Sequence, residues 1–128
     1  MILEFEVKGR NQKMKDTSQL VEFEFNESVL IAHVSGEIDH HSALCVREAV
    51  DKQIFSKRPS KLLLELSHVG FMDSSGLGLI MGRYTLMKKL GGSTALLDPS
   101  EAIMRIVSLA GLERIVKIER TKIGREAK

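Results

Sequence analysis

The sequence predicts a single α/β domain with a small mixed sheet of about five strands, mostly parallel, and helices packed mainly on one face. Three observations point there. Two alternating segments near the start, residues 21–25 and 29–35, read as a hairpin, and strand, helix, strand patterns then recur through the chain. Crossovers of that kind are right-handed and join parallel strands, so only the first strand should run against the others. Finally, Glu22, Glu24, His33, Glu65 and Lys117 fall within strands. That predicts one partly wet face, which departs from a doubly wound sheet.

At 128 residues the chain suits one domain. Hydrophobic residues make up 43% and charged residues 28%, and the formal net charge is +2. No nucleic-acid-binding surface is predicted from that balance. Cys45 is the only cysteine, which excludes an internal disulfide and a thiolate metal cluster and fits a reducing, cytoplasmic setting. No segment approaches the ~20 apolar residues of a membrane span, and Glu4 and Glu6 interrupt any signal-peptide pattern. No membrane partner is expected.

Residues 1–18 are polar around Lys8, Gly9 and Arg10 without a usable period, and predict a flexible arm ahead of a domain over 19–128. Met14 is a natural alternative start, a hypothesis that Met1 peptides in protein from the native host would reject. Val21, Phe23 and Phe25 alternate with Glu22 and Glu24, and Asn26, Glu27 and Ser28 supply the turn to the second strand, which Gly36 is expected to end. Asp39 can cap a helix whose buried stripe is Ala43, Val46, Val50 and Ile54, with Pro59 closing the region.

The apolar run at 62–66 predicts a strand, followed by a short connection and the segment FMDSSGLGLIMGRYTLMKKLGG. Asp73, Ser74 and Ser75 offer oxygens where a helix's first N–H groups lack partners, so the N-cap falls at Asp73 or Ser74. Leu77, Ile80, Met81 and Tyr84 recur at helical spacing; Lys88 and Lys89 suit the negative end of the helix, and Gly91 can close it. A strand is expected over 93–97. Asp98, Pro99 and Glu101 then read as cap, N1 and N3 of a helix bearing Ile103, Ile106, Val107 and Ala110. Gly111 ends it, 114–118 reads as the last strand, and the polar tail 121–128 is expected to be frayed or weakly helical.

FMDSSGLG, continuing LIMGRY, closely resembles the phosphorylation segment of the anti-sigma factor antagonists, the bacterial branch of the STAS domain family. Upstream, GEIDHHSA (residues 36–43) resembles the same family's second signature, and the two segments look most like the sporulation-type anti-sigma F factor antagonists. The resemblance spans about residues 20–119, with both motifs in the family's order. It implies a STAS-like sheet with helices mostly on one side. It also implies a phosphorylation-controlled binding switch, in which the antagonist captures an anti-sigma factor that is itself a serine kinase and so releases a sigma factor for transcription. The protein would be a substrate, not an enzyme, and a serine phosphatase would restore it.

From pattern alone Ser74 is an N-cap hydroxyl; the resemblance makes it the phosphoserine, because the family's acceptor directly follows the aspartate of DSSG. Ser75, one residue into the first turn, is the rival acceptor. Asp73 has three readings that the sequence leaves open: a cap, an acceptor for a basic group on the partner, or a group that orients the serine hydroxyl. Gly76, Gly78 and Gly82 each cost about 1 kcal/mol of helix propensity against alanine, and a partner surface approaching the helix opening would account for at least Gly76. Asp39, His40, His41 and Ser42 form a capped turn that the resemblance adds to the same binding edge as Asp73, Ser74, Ser75 and Gly76. His40 and His41 lack further ligands at usable spacing, so no metal is expected. His33 and His68 are expected on strand surfaces or loop ends without a special role.

Two enzymatic or ligand-binding readings compete. A nucleophile elbow needs glycine where Met72 stands, and all four histidines precede Ser74, so a serine hydrolase is not supported. A small nucleotide-binding α/β module is nearer, since Gly76 and Gly78 open a helix after a strand and Asp98 lies about 20 residues on. Its third glycine, Gly82, comes one residue late. No cofactor is therefore expected.

Overall fold

In a computed structural model of the chain, which describes residues 20–121, the predicted hairpin is β1 (Val21–Asn26) and β2 (Val29–Ile38), paired antiparallel from Val21↔Val34 to Asn26↔Val29. The expected N-terminal arm and all of the tail after Thr121 lie outside the described residues. Glu27 and Ser28 alone form the turn, both at positive φ (50° and 68°), the pair of left-handed residues that matches the twist of a two-residue hairpin. Neither is glycine. Ser60, 32 residues further on, holds the turn in place: its N–H donates to the Ser28 carbonyl at 2.8 Å and to Ser28 Oγ at 3.0 Å.

The chain continues as α1 (His40–Lys57), β3 (Lys61–Met72), α2 (Ser74–Lys89), β4 (Ser93–Leu97), α3 (Glu101–Leu109), a 3-10 turn (Leu112–Arg114) and β5 (Lys117–Glu119). The five-stranded sheet runs β1-β2-β3-β4-β5, parallel in every pair except the first. Val46, Val50 and Ile54 of α1, Ile80 and Met87 of α2, and Ile103 and Val107 of α3 join Leu30, Ala32, Leu62, Leu64 and Leu96 in one core cluster. All three helices therefore cover the same sheet face, and each fully buried aliphatic side chain contributes about 1.5–3 kcal/mol. The α1 stripe is the predicted one, Ala43, Val46, Val50 and Ile54, joined by Ser42.

Four boundaries differ from expectation, the first three for non-local reasons. Gly36, at φ 93°, does not end β2. The pairing with β3 shifts register between His33 and Ser35 and between Gly36 and Glu37, and the strand resumes at Glu37↔Phe71 and Ile38↔Met72. β3 likewise needs no connection before α2: it runs twelve residues, its second half paired with β2. Asp98 does not cap α3. It sits at φ 47° and accepts from Thr121, and the cap is Ser100, whose hydroxyl accepts from Ile103 N–H and donates to the Val69 carbonyl at 2.7 Å. The last strand starts three residues late because Leu112–Arg114 turns as a 3-10 helix.

On α2 the buried residues are Gly76, Leu79, Ile80, Arg83 and Met87, with Leu77, Met81 and Tyr84 only flanking the core. The helix is thus rotated away from the predicted face. Across the sheet, on the face without helices, Glu22, Glu24 and Lys117 are exposed as predicted, whereas Glu65 is buried. His33 has a role after all. Its Nδ1 lies 2.8 Å from Glu65 Oε1 and its Nε2 3.3 Å from Glu24 Oε1, and Glu65 Oε2 accepts from Ser67 N–H at 3.0 Å.

Candidate functional site

β2 and β3 are parallel neighbours that end in register at Ile38↔Met72, and the next residue of each is an aspartate that caps a helix. The sheet therefore places the two sequence motifs side by side, joined where Asp73 N–H donates to the Ile38 carbonyl at 3.2 Å. Strand ends of this kind, beyond the carboxyl edge of parallel strands, are where α/β folds carry their sites.

The Asp39 turn is a full capping box. Asp39 Oδ1 accepts from Ser42 N–H at 2.9 Å, and Ser42 Oγ accepts from Asp39 N–H at 2.9 Å and donates to the Glu37 carbonyl at 3.0 Å. Those bonds from Ser42 hold the Asp39 carboxyl below the usual range, so it stays ionised. Ser42 itself is buried and its hydroxyl is consumed by the turn, while Asp39, His40 and His41 are exposed.

Asp73 resolves the open cap position of α2: its Oδ1 accepts from Ser75 N–H at 2.7 Å, and its carbonyl from Gly76 N–H at 2.9 Å. Ser74 is thereby the first residue of the helix, exposed, and among the described residues its hydroxyl has no hydrogen-bond partner. Ser75 is half-buried. Gly76 is buried for a reason the sequence concealed: a Cβ there would lie 2.6 Å from Met72 Cβ and Sδ. It is a packing glycine that seats α2 on the end of β3, not an opening for a partner. Gly78 and Gly82 are the reverse case, since a Cβ at either meets nothing within 4 Å.

The edge brings together Asp39, His40, His41, Asp73, Ser74 and Ser75 on the surface, with Ser42 and Gly76 beneath them. It also presents two side chains that sequence reasoning missed, Phe71 at 49% exposure and Leu44 at 41%. Phe71 pairs across the sheet with Glu37, beside the Asp39 turn. The available signal was a large apolar residue off the buried period: Leu44 lies outside the Ala43, Val46, Val50 stripe, and Phe71 follows the break in alternation at Gly70. No group of histidine, cysteine or acidic residues that could hold a metal occurs among the described residues. Nor does the α2 opening offer the glycine turn of a dinucleotide site, because Asp73 and Met72 fill it.

A family model described as the STAS domain matches residues 21–122. The anti-sigma F factor antagonist of Paenibacillus polymyxa is 40% identical over 98 residues, covering 77% of this chain and 84% of its own. The anti-sigma-B factor antagonist of Bacillus subtilis (strain 168) is 34% identical over 104 residues, covering 81% of this chain and 94% of its own. Among solved structures, the anti-sigma factor antagonist SpoIIAA in its unphosphorylated form superposes with a TM-score of 0.69 at 25% identity, over 84% of this chain and 94% of that one. The Bacillus SpoIIAA has also been solved phosphorylated, with a TM-score of 0.63, 25% identity, and coverage of 84% and 97%.

Proposed function

The chain belongs to the STAS domain family and, within it, to the anti-sigma factor antagonists, and from that premise we propose that it is a binding switch controlled by phosphorylation of Ser74. Unmodified, the edge of Asp39, His40, His41, Asp73, Ser74 and Ser75 captures an anti-sigma factor with serine kinase activity, and the sigma factor which that partner held is released. Phosphorylated, the edge no longer docks until a serine phosphatase removes the group. The chain is the kinase's substrate and performs no catalysis itself, and the exchange takes place in the cytoplasm. No helix among the described residues is long and apolar enough to cross a membrane.

The observation that carries this reading is the in-register end of β2 and β3, which sets an exposed, unbonded serine hydroxyl at a helix N-terminus beside a second capped turn. A hydroxyl so placed is open to an in-line phosphoryl donor, and the product anion is favoured by the helix dipole. The existence of SpoIIAA in both phosphorylated and unphosphorylated forms supports it. Incubation with a cognate anti-sigma factor and ATP, followed by mass mapping, should place one phosphate on Ser74. Ser74→Ala should still bind the partner but escape inactivation, and Ser74→Asp should bind poorly. Phosphate found elsewhere, or equal capture by both phosphorylation states, would overturn the reading.

A further inference from the structure

Arg83 lies on the face of α2 that packs against α1, at 7% exposure, and its Nε comes within 3.0 Å of Asp51 Oδ1 on α1. The approach is not aligned as a hydrogen bond, and among the described residues Arg83 Nη1 also lacks an acceptor. Burial pushes the Arg83 guanidinium down from its ordinary range and the Asp51 carboxyl up from its own, and Arg47 adds a further positive charge beside the pair. A desolvated, incompletely bonded ion pair of this kind is a poor source of stability. Well-packed apolar residues of similar volume in its place are often neutral or better.

What such a pair can supply is a fixed relation between the elements that carry it. We propose that Arg83 and Asp51 are positioning residues that hold α1 and α2 in the relation at which Asp39 and Ser74 form one docking edge. The inference rests on the switch reading above. Arg83 is nine residues from Ser74, or about 14 Å at 1.5 Å per residue. A swing of α2 by about 5° about that contact moves Ser74 by about 1.2 Å, and a displacement of about 1 Å at a reacting group can cost as much as a hundredfold. The packing of Gly76 on Met72 limits such a swing at the α2 opening without tying α2 to α1, and the caps add little. Asp39 and Asp73 each bond only within their own turns, apart from the single Asp73 N–H to Ile38 carbonyl contact.

The test uses the full chain and a purified anti-sigma factor that phosphorylates the wild type. The double variant Asp51→Leu with Arg83→Met should melt within a few degrees of wild type or above it, yet bind the partner and accept phosphate at least tenfold less well. The Ser42 and Ser75 amide resonances, which report the two caps, should shift with it, and Arg83→Lys should restore binding only in part. If the double variant fails to fold, Asp51→Asn carries the comparison at a temperature where it is folded, since the amide keeps the shape of a side chain that is 28% exposed while removing the counter-charge of Arg83. A folded variant of either kind that binds within twofold of wild type overturns the proposal. A wild-type chain that no anti-sigma factor captures or phosphorylates overturns instead the switch reading, and this inference with it.

Discussion

Two glycines two residues apart on α2, one buried and one exposed, should respond to alanine with opposite signs. At Gly76 the added Cβ would stand 2.6 Å from Met72 Cβ, an atom fixed to the backbone, as well as from its sulfur. Met72 is buried at the end of β3 and its Cβ moves only with the backbone, so α2 and the strand end must separate. Overpacking of this kind costs about 2–3 kcal/mol, and the better helix propensity of alanine returns about 1 kcal/mol, leaving a net loss of about 1–2 kcal/mol. For a domain of this size that lowers Tm by about 5–15 °C. At Gly78 the same Cβ meets nothing within 4 Å and the site is exposed. Only the propensity gain remains, about 1 kcal/mol, and Tm should rise by about 4–8 °C. Thermal melts by circular dichroism on both variants decide the matter. A Gly76→Ala protein as stable as wild type, or a Gly78→Ala protein less stable, would refute the packing argument. Kinase assays on the same samples should show slower phosphorylation of Ser74 in Gly76→Ala, whose first helical turn is displaced.

Ser75→Ala should remain a kinase substrate, since Ser75 is half-buried and Ser74 exposed; complete loss of phosphate with the fold unchanged by circular dichroism would count against Ser74. Stability should peak between about pH 4.5 and 6.5 through the contact of His33 with Glu65. Burial lowers the His33 pKa, but hydrogen bonds and charges from Glu65 and Glu24 outweigh it and hold the imidazole above its ordinary 6.5. Burial raises Glu65, but hydrogen bonds from Ser67 and His33 outweigh it and hold the carboxyl below its ordinary 4.5. The imidazolium contribution is thus complete below about 6.5 and lost as pH rises through the raised value, while the carboxylate contribution is complete above about 4.5 and lost as pH falls through the lowered one. Melts of wild type and His33→Gln across pH 4–9 should show the alkaline decline only in wild type; equal declines would sink the assignment.

What the sequence made legible is local. Asp39 and Asp73 cap helices because a short side-chain oxygen reaches N–H groups two or three residues on, and such contacts leave a readable trace. Gly91 and Gly111 close helices at φ 87° and 78° for an equally local reason. The features missed depend on partners far along the chain. Asp98 had the better spacing for a cap, yet Thr121, 23 residues later, takes its carboxylate. The mixed residues 67–72 have no strand period of their own and are extended because β2 pairs with them across the bulge at Gly36. Arg83 lies off the predicted face of Leu77, Ile80, Met81 and Tyr84, and its burial depends on α1, which carries Asp51. The residues by themselves therefore showed two separate turns and the resemblance put them on one edge, while the in-register strand ends that join them were not legible.

That joint also bears on where a phosphate would act. Neither residues 36–44 nor residues 70–78 include a lysine or arginine, whereas Glu37, Asp39 and Asp73 all belong to them. A phosphate on Ser74 gains from the helix dipole but finds no cation within either turn to draw the edge into a new shape. For two unit charges about 6 Å apart, repulsion between such a phosphate and a carboxylate is worth about 0.7 kcal/mol in water, and about 2.8 kcal/mol at the effective dielectric of ~20 near a protein surface. A partner that docks here expels water and so moves the pair from the first value toward the second. The difference of about 2 kcal/mol per unit charge, scaled by the ~1.5 to 2 charges of phosphoserine, comes to about 3–4 kcal/mol. At about 1.4 kcal/mol per decade, that is a loss of more than a hundredfold in affinity. The free domain never meets this cost, because its edge stays hydrated. Phosphorylation would then oppose docking while leaving the fold as it is.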